Sequence, residues 1–144
     1  MVSHNVIIKR LEKLEQAIKR LEQKKSISLE EFKKNWETQD VVLREFQVAI
    51  EACIDISNHI ISEKGWESPE KYTDVADILC KHGVIPEEFS GTLRKMIAFR
   101  NTIIYEYAEI DLEAVHLNLS RPDDLRRFAT YVTGFFEKEL STNS

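Results

Sequence analysis

The sequence predicts an all-α protein, an antiparallel up-and-down bundle of four principal helices with additional short ones. Three observations carry this. The 144 residues include only four glycines and three prolines, and strand signals are scarce. Apolar residues recur at helical spacing over long stretches. Hydrophobic residues make up 42% of the chain and charged residues 31%, the balance of a globular protein and not of a disordered or fibrous one.

The elements follow in order. Ile7, Leu11, Leu14, Ile18 and Leu21 keep an a/d spacing, so residues 4 to 24 form an amphipathic helix whose narrow seam requires a helical neighbour. Ser28, followed by Glu30 and Glu31, has the form of an N-terminal cap. From there the helical pattern runs to about Ser62 without Gly or Pro, with a bend expected near Thr38 to Asp40. Gly65, Ser68 and Pro69 close that helix and open a loop. A third helix is expected from about Glu70 to Lys81, stopped at His82-Gly83, and Pro86-Glu87-Glu88 starts a fourth that reaches about Ile104. Asp111 and Pro122 begin two further segments, the last ending near Leu140. Residues 1–140 then make a single helical domain and 141–144 a frayed tail. A chain of this length buries roughly two thirds of its unfolded surface, enough for one core.

Composition excludes several classes. No apolar run approaches the ~18 residues of a membrane span, and Met1 to Asn5 leads into a charged amphipathic pattern without the apolar stretch of a signal peptide. A cytoplasmic protein with no membrane partner is expected. Cys53 and Cys80 sit in apolar helical contexts without C-x-x-C spacing, which argues for reduced, hydrophobic cysteines. The histidines lack H-x-x-x-H or H-E-x-x-H spacing, and there is no Gly-rich phosphate loop or G-x-S-x-G elbow, so neither a metal nor another cofactor is expected. Net charge is −5, against a whole-surface nucleic-acid binder. Residues 1 to 25 nevertheless hold seven Lys and Arg against three Glu, a net of +4 that leaves −9 for the rest.

Two helices hold the candidate site residues. On the long second pattern, Val42, Leu43, Phe46, Ala49, Ile50, Cys53, Ile54, Ile56, Ile60 and Ile61 fill the core arc. Arg44, Gln47, Glu51, Asp55, Asn58 and Ser62 form a polar stripe opposite, with His59 beside it. On the fourth helix, Leu93, Met96, Ile97, Arg100, Ile103, Ile104 and Tyr107 share one arc. A guanidinium stays charged inside a protein, so Arg100 on an apolar face requires a partner. Three remain open: a carboxylate of the stripe (Glu51 or Asp55), a second subunit, or an anionic ligand such as a phosphate.

The stretches EACIDISNHII (Glu51 to Ile61), GVIPEEF (Gly83 to Phe89) and FRNTIIYEYAEID (Phe99 to Asp111) together resemble the HepT-like branch of the HEPN superfamily, over nearly the whole chain. The resemblance implies a HEPN-like domain over residues 1–140 and a homodimer whose cleft lies at the subunit interface. It further implies a metal-independent endoribonuclease, the toxin of a toxin-antitoxin pair. The family signature R-N-x-x-V-H-x-Y would make Arg100 the group that polarises the scissile phosphate, with Asn101 beside it. Glu51, Asp55, Asn58 and His59 would support the cleft. Tyr107 matches the tyrosine that a cognate minimal nucleotidyltransferase modifies with AMP.

At the position of the family's catalytic His stands Tyr105. An imidazole titrating near pH 6.5 suits deprotonation of a ribose 2′-OH and protonation of the leaving oxygen, whereas a phenol near 10 is a poor base. An impaired nuclease is therefore expected. The alternative is a non-catalytic bundle that binds a nucleotidyltransferase or a nucleotide through the same cleft. Arg100 and Tyr105, five residues apart, lie about 140° apart round an ideal helix. They converge on one phosphate if the helix unwinds after Ile104 or if two subunits contribute.

Overall fold

The computed structural model describes residues 4–143. Seven α-helices follow in order among them: α1 (His4–Lys24), α2 (Leu29–Lys34), α3 (Trp36–Lys64), α4 (Asp74–Lys81), α5 (Glu87–Tyr105), α6 (Leu112–Leu119) and α7 (Asp123–Asn143), with a 3-10 turn, Tyr107–Glu109, after α5. The four long members are α1, α3, α5 and α7, as the periodicity predicts. The last helix passes the expected end at Leu140 and continues to Asn143; Ser144 lies outside the described residues.

Of the predicted α1 seam, Ile7, Leu14, Ile18 and Leu21 are buried and Leu11 partly so, with Ala17 buried beside them, and the helix packs chiefly against α3. All ten residues of the α3 core arc are buried. This helix packs against α1, α2, α4, α5 and α7, which is why its apolar arc is wide. Phe32, Phe89 and Phe128 are the largest fully buried side chains and join α2, α5 and α7 to the common core.

The bend in the second helical pattern falls at Asn35, not at Thr38 to Asp40. Asn35 leaves helical geometry (φ −113°, ψ 89°), and its Oδ1 accepts a hydrogen bond from the Thr38 amide at 3.0 Å, capping α3. Such a side chain offers the backbone an alternative to continued helix. The carbonyls left over at the end of α2 are taken by Gln39, whose Nε2 donates to Phe32 O at 2.8 Å and Lys33 O at 3.2 Å. At the other end of α3, Gly65 adopts φ +66° and donates to Ser62 O, while Trp66 donates to Ile61 O, a left-handed glycine stop.

Helix α4 begins at Asp74, later than the expected Glu70. The Asp74 carboxylate accepts from the amides of both Glu70 and Lys71 at 3.1 Å, so those donors are satisfied by a side chain in a turn instead of by helix. The loop before it is pinned to the end of α4. Trp66 stacks on His82 with centroids 4.0 Å apart and rings 5° from parallel, and Glu67 bonds Lys81 and His82 at 2.7 Å each. The Lys81 hydrogen bond, chiefly, lowers the Glu67 carboxyl to about 2. Across the bundle, Arg126 of α7 grips α1 through Glu22 at 2.7 Å and Glu15 at 3.0 Å.

Phe128 is fully buried, so Phe128→Ala should lower unfolding free energy by about 3–5 kcal/mol, measured by urea denaturation. Trp36, 67% exposed at the start of α3, supplies the contrast: Trp36→Ala should stay within about 0.5 kcal/mol of the parent.

Candidate active site

Helices α3 and α5 bring Glu51 of the polar stripe to Arg100. Only 11% of the Arg100 side chain is exposed, because Ile97 and Ile103 on the same arc are buried and draw that face into the bundle. Its Nη1 donates to Asn101 Oδ1 at 3.0 Å. Its Nη2 stands 3.8 Å from Glu51 Oε1, within ion-pair range but beyond a hydrogen bond. Its Nε is buried with no hydrogen-bond partner. Over the guanidinium lies the ring of Tyr72, with Cζ 5.2 Å from the centroid.

The remaining stripe residues are divided. Asp55 is half-exposed and faces Arg10 of α1 at 3.8 Å, so of the two expected carboxylates only Glu51 approaches Arg100. Asn58 and His59 are partly buried on the next turns of α3. The His59 Nε2 lies 3.8 Å from Glu63 Oε1 and has no hydrogen bond. It is eight residues beyond Glu51, about 12 Å along the helix axis. Cys53 is fully buried, and burial pushes its thiol well above the ordinary range, which keeps it from acting as a thiolate.

Helix α5 ends at Tyr105, whose side chain projects from the last turn with 76% of the residue exposed. Glu106 departs from helical geometry (φ −128°) while its amide donates to Thr102 O. The chain then tightens into the 3-10 turn. This termination corrects the periodic placement of Tyr107 on the Arg100 arc, because the helix stops before reaching it. Tyr107 is 53% exposed, and its hydroxyl donates to Asp40 Oδ1 on α3 at 2.5 Å. That bond, then partial desolvation and the charge of Asp40, raise the phenol above its ordinary 10.0.

Two members of this surroundings escape sequence periodicity. Tyr72 lies in the turn before α4 and meets Arg100 only through tertiary folding. Asp40 is one of several acidic residues near the start of α3, and its bond to Tyr107 spans 67 positions.

The fold and site together define a helical-bundle protein with a largely buried arginine between its two central helices and two exposed tyrosines at and just past the end of the second. A sequence model of the family described as ribonuclease HepT-like matches residues 14–132, and the chain belongs to that family. It is similar to the mRNA nuclease HepT of Shewanella oneidensis, 30% identical over 126 residues that cover 87% of this chain and 94% of the relative. It is also similar to the tRNA nuclease HepT of Aphanizomenon flos-aquae, 28% identical over 88% of this chain and 85% of that one. Among solved structures, the tri-AMPylated Shewanella oneidensis HEPN toxin in complex with its MNT antitoxin superimposes with a TM-score of 0.83 at 28% identity, covering 92% of this chain and 99% of the toxin. A toxin-antitoxin structure with AMP-PNP gives 0.84 at 27% identity, over 91% and 99%.

The Asp40 contact sets a titration. A carboxylate that accepts from a phenol favours its neutral form, so any stability it contributes is present below pH 10 and is lost as pH rises through the Tyr107 range. Asp40→Asn should move Tyr107 ionisation down toward pH 10, followed by absorbance at 295 nm with Tyr107→Phe as the reference.

Proposed function

We propose that this chain is a HepT-type ribonuclease toxin of a toxin-antitoxin pair, acting as a homodimer on RNA and impaired by Tyr105. The observation that carries the site assignment is the unfinished bonding of Arg100. Arg126, a structural arginine in the same molecule, meets two glutamates at 2.7 and 3.0 Å. Arg100 has one hydrogen bond, to a neutral amide, and a carboxylate at 3.8 Å. Burying a cation so incompletely paired is costly, and a phosphate oxygen supplies the acceptors that Glu51 does not.

In this role Arg100 binds the scissile phosphate and stabilises charge on its oxygens as the 2′-oxygen attacks phosphorus and the 5′-oxygen leaves. Asn101 holds the guanidinium in orientation through Nη1, and Glu51 keeps it turned toward α3. The attacking hydroxyl loses a proton and the leaving oxygen gains one. An imidazole at position 105 would handle both, whereas the phenol there is a weak base at neutral pH. Since α5 ends at Tyr105, with the side chain exposed, an arrangement in which two subunits contribute remains the simplest way to bring position 105 and an arginine to one phosphate.

The exposed Tyr107 hydroxyl is assigned as the acceptor of AMP from a minimal nucleotidyltransferase antitoxin. A second reading, that the chain binds such an antitoxin or a nucleotide without cleaving RNA, is favoured by Tyr105 itself. It requires complex formation indifferent to residue 105.

The test is cleavage of a labelled single-stranded RNA without added metal. Tyr105→His should exceed the parent by about 10²- to 10⁴-fold, the usual worth of an acid-base group, and Arg100→Ala in that background should remove the gain. A Tyr105→His variant as inert as the parent would leave only the second reading.

A further inference from the structure

We propose that Tyr72 is a stacking platform for an unpaired nucleobase of the RNA, next to the phosphate on Arg100. This rests on the assignment of Arg100 as the phosphate-binding group. Tyr72 is an aromatic residue that the core does not need. Tyr72 is 47% exposed and lies in the turn between α3 and α4, where exposure of a large ring carries no packing benefit. Its surroundings are nevertheless fixed. Asp74 Oδ2 binds the amides of Glu70 and Lys71 at 3.1 Å each, and Val75 N donates to Tyr72 O at 3.3 Å. The backbone that presents the ring is therefore bonded on both sides of it.

The ring meets the Arg100 guanidinium with Cζ 5.2 Å from its centroid, within the range of a cation–π contact. This contact orients the cation without using an N–H donor; Nη1 is held by Asn101, and the Nη2 donors, 3.8 Å from Glu51, are the ones left for phosphate oxygens. Tyr72 nevertheless keeps 47% of its surface exposed. In a nucleotide, base and phosphate are separated by a single ribose, so a phosphate on Arg100 brings a neighbouring base within reach of that surface. Aromatic side chains beside cationic groups are the common device for holding single strands, because every base has a π face and the contact tolerates sequence. A duplex keeps its bases stacked on one another and offers none to Tyr72. The ligand class is thus single-stranded RNA, or a loop, with weak sequence preference at the stacked base.

The experiment measures binding, a readout separate from cleavage. Two fluorescein-labelled 12-nucleotide strands with 2′-O-methyl riboses, one with bases and one wholly abasic, are titrated with the full chain and followed by anisotropy. The parent should prefer the base-bearing strand by roughly 5- to 150-fold, the worth of one stacked base. Tyr72→Phe should keep that preference. Tyr72→Leu and Tyr72→Ala should reduce it several-fold while still binding the abasic strand, with circular dichroism checking that each variant is folded. If Tyr72→Ala keeps the full preference while Arg100→Ala weakens both strands, the platform is refuted and the phosphate site stands. If Arg100→Ala changes neither strand, the phosphate site fails and the platform falls with it.

Discussion

A charge that cannot be neutralised, set on a buried helix face, is the constraint around which the α3 and α5 surfaces are built. Isoleucines at 97 and 103 draw that face of α5 into the core, and Arg100 between them must follow. The protein accommodates the guanidinium with moderate contacts from three directions: Asn101 at 3.0 Å, Glu51 at 3.8 Å and the face of Tyr72. None is a close carboxylate bond. The local balance favours a site where an incoming anion improves the pairing over one where the charge is already satisfied.

Helix α3 makes this arrangement possible. It is long enough to contact most of the bundle, and its polar stripe faces several neighbours along its length. Ahead of the stripe Asp40 holds Tyr107; within it Glu51 approaches Arg100 and Asp55 turns to Arg10, while His59 beside it faces Glu63. A stripe that looks uniform in the sequence is thereby partitioned between α1 and α5. Packing of the opposite face is continuous over the same stretch, so the polar residues are held at fixed heights. Any one of them can be assigned a role by its neighbour.

Much of the fold was legible because it rests on periodicity. The a/d seam of α1, the core arc of α3, the glycine stop at Gly65 and the Pro-acid start of α5 are local signals, and each has a local physical cause. The structure departs from the periodic pattern where a side chain replaces a backbone partner. Asn35 moved the bend upstream by capping α3, and Asp74 delayed α4 by holding two amides ahead of it. Both residues have the right chemistry, but several neighbours share it, and only the three-dimensional path decides which one acts. In the site the division is the same. Arg100 stands out because it breaks an apolar pattern, which leaves Glu51, Asp55, a second subunit and an anionic ligand open as its partner; the fold brings Glu51 to it and turns Asp55 to Arg10. Tyr72 and Asp40 broke no pattern, and their contacts join parts of the chain far apart in sequence.

The termination of α5 separates chemistry from stability. Up to Ile103 the helix contributes buried residues; from Tyr105 to Glu109 every residue is exposed. A substitution at position 105 therefore costs the core almost nothing, whatever it does to proton transfer. Position 100 is different, since its stem lies among buried neighbours and its charge is held by three groups. Positions 100 and 105 are thus supported by different interactions, and a change at the exposed end leaves the surroundings of Arg100 intact. The same separation applies to Tyr107. Its hydroxyl is tied to the body of the protein through Asp40, while its backbone belongs to a short turn with no buried residue. A group transferred to that oxygen must displace the Asp40 bond, and it would add negative charge at the helix end a few residues from Arg100.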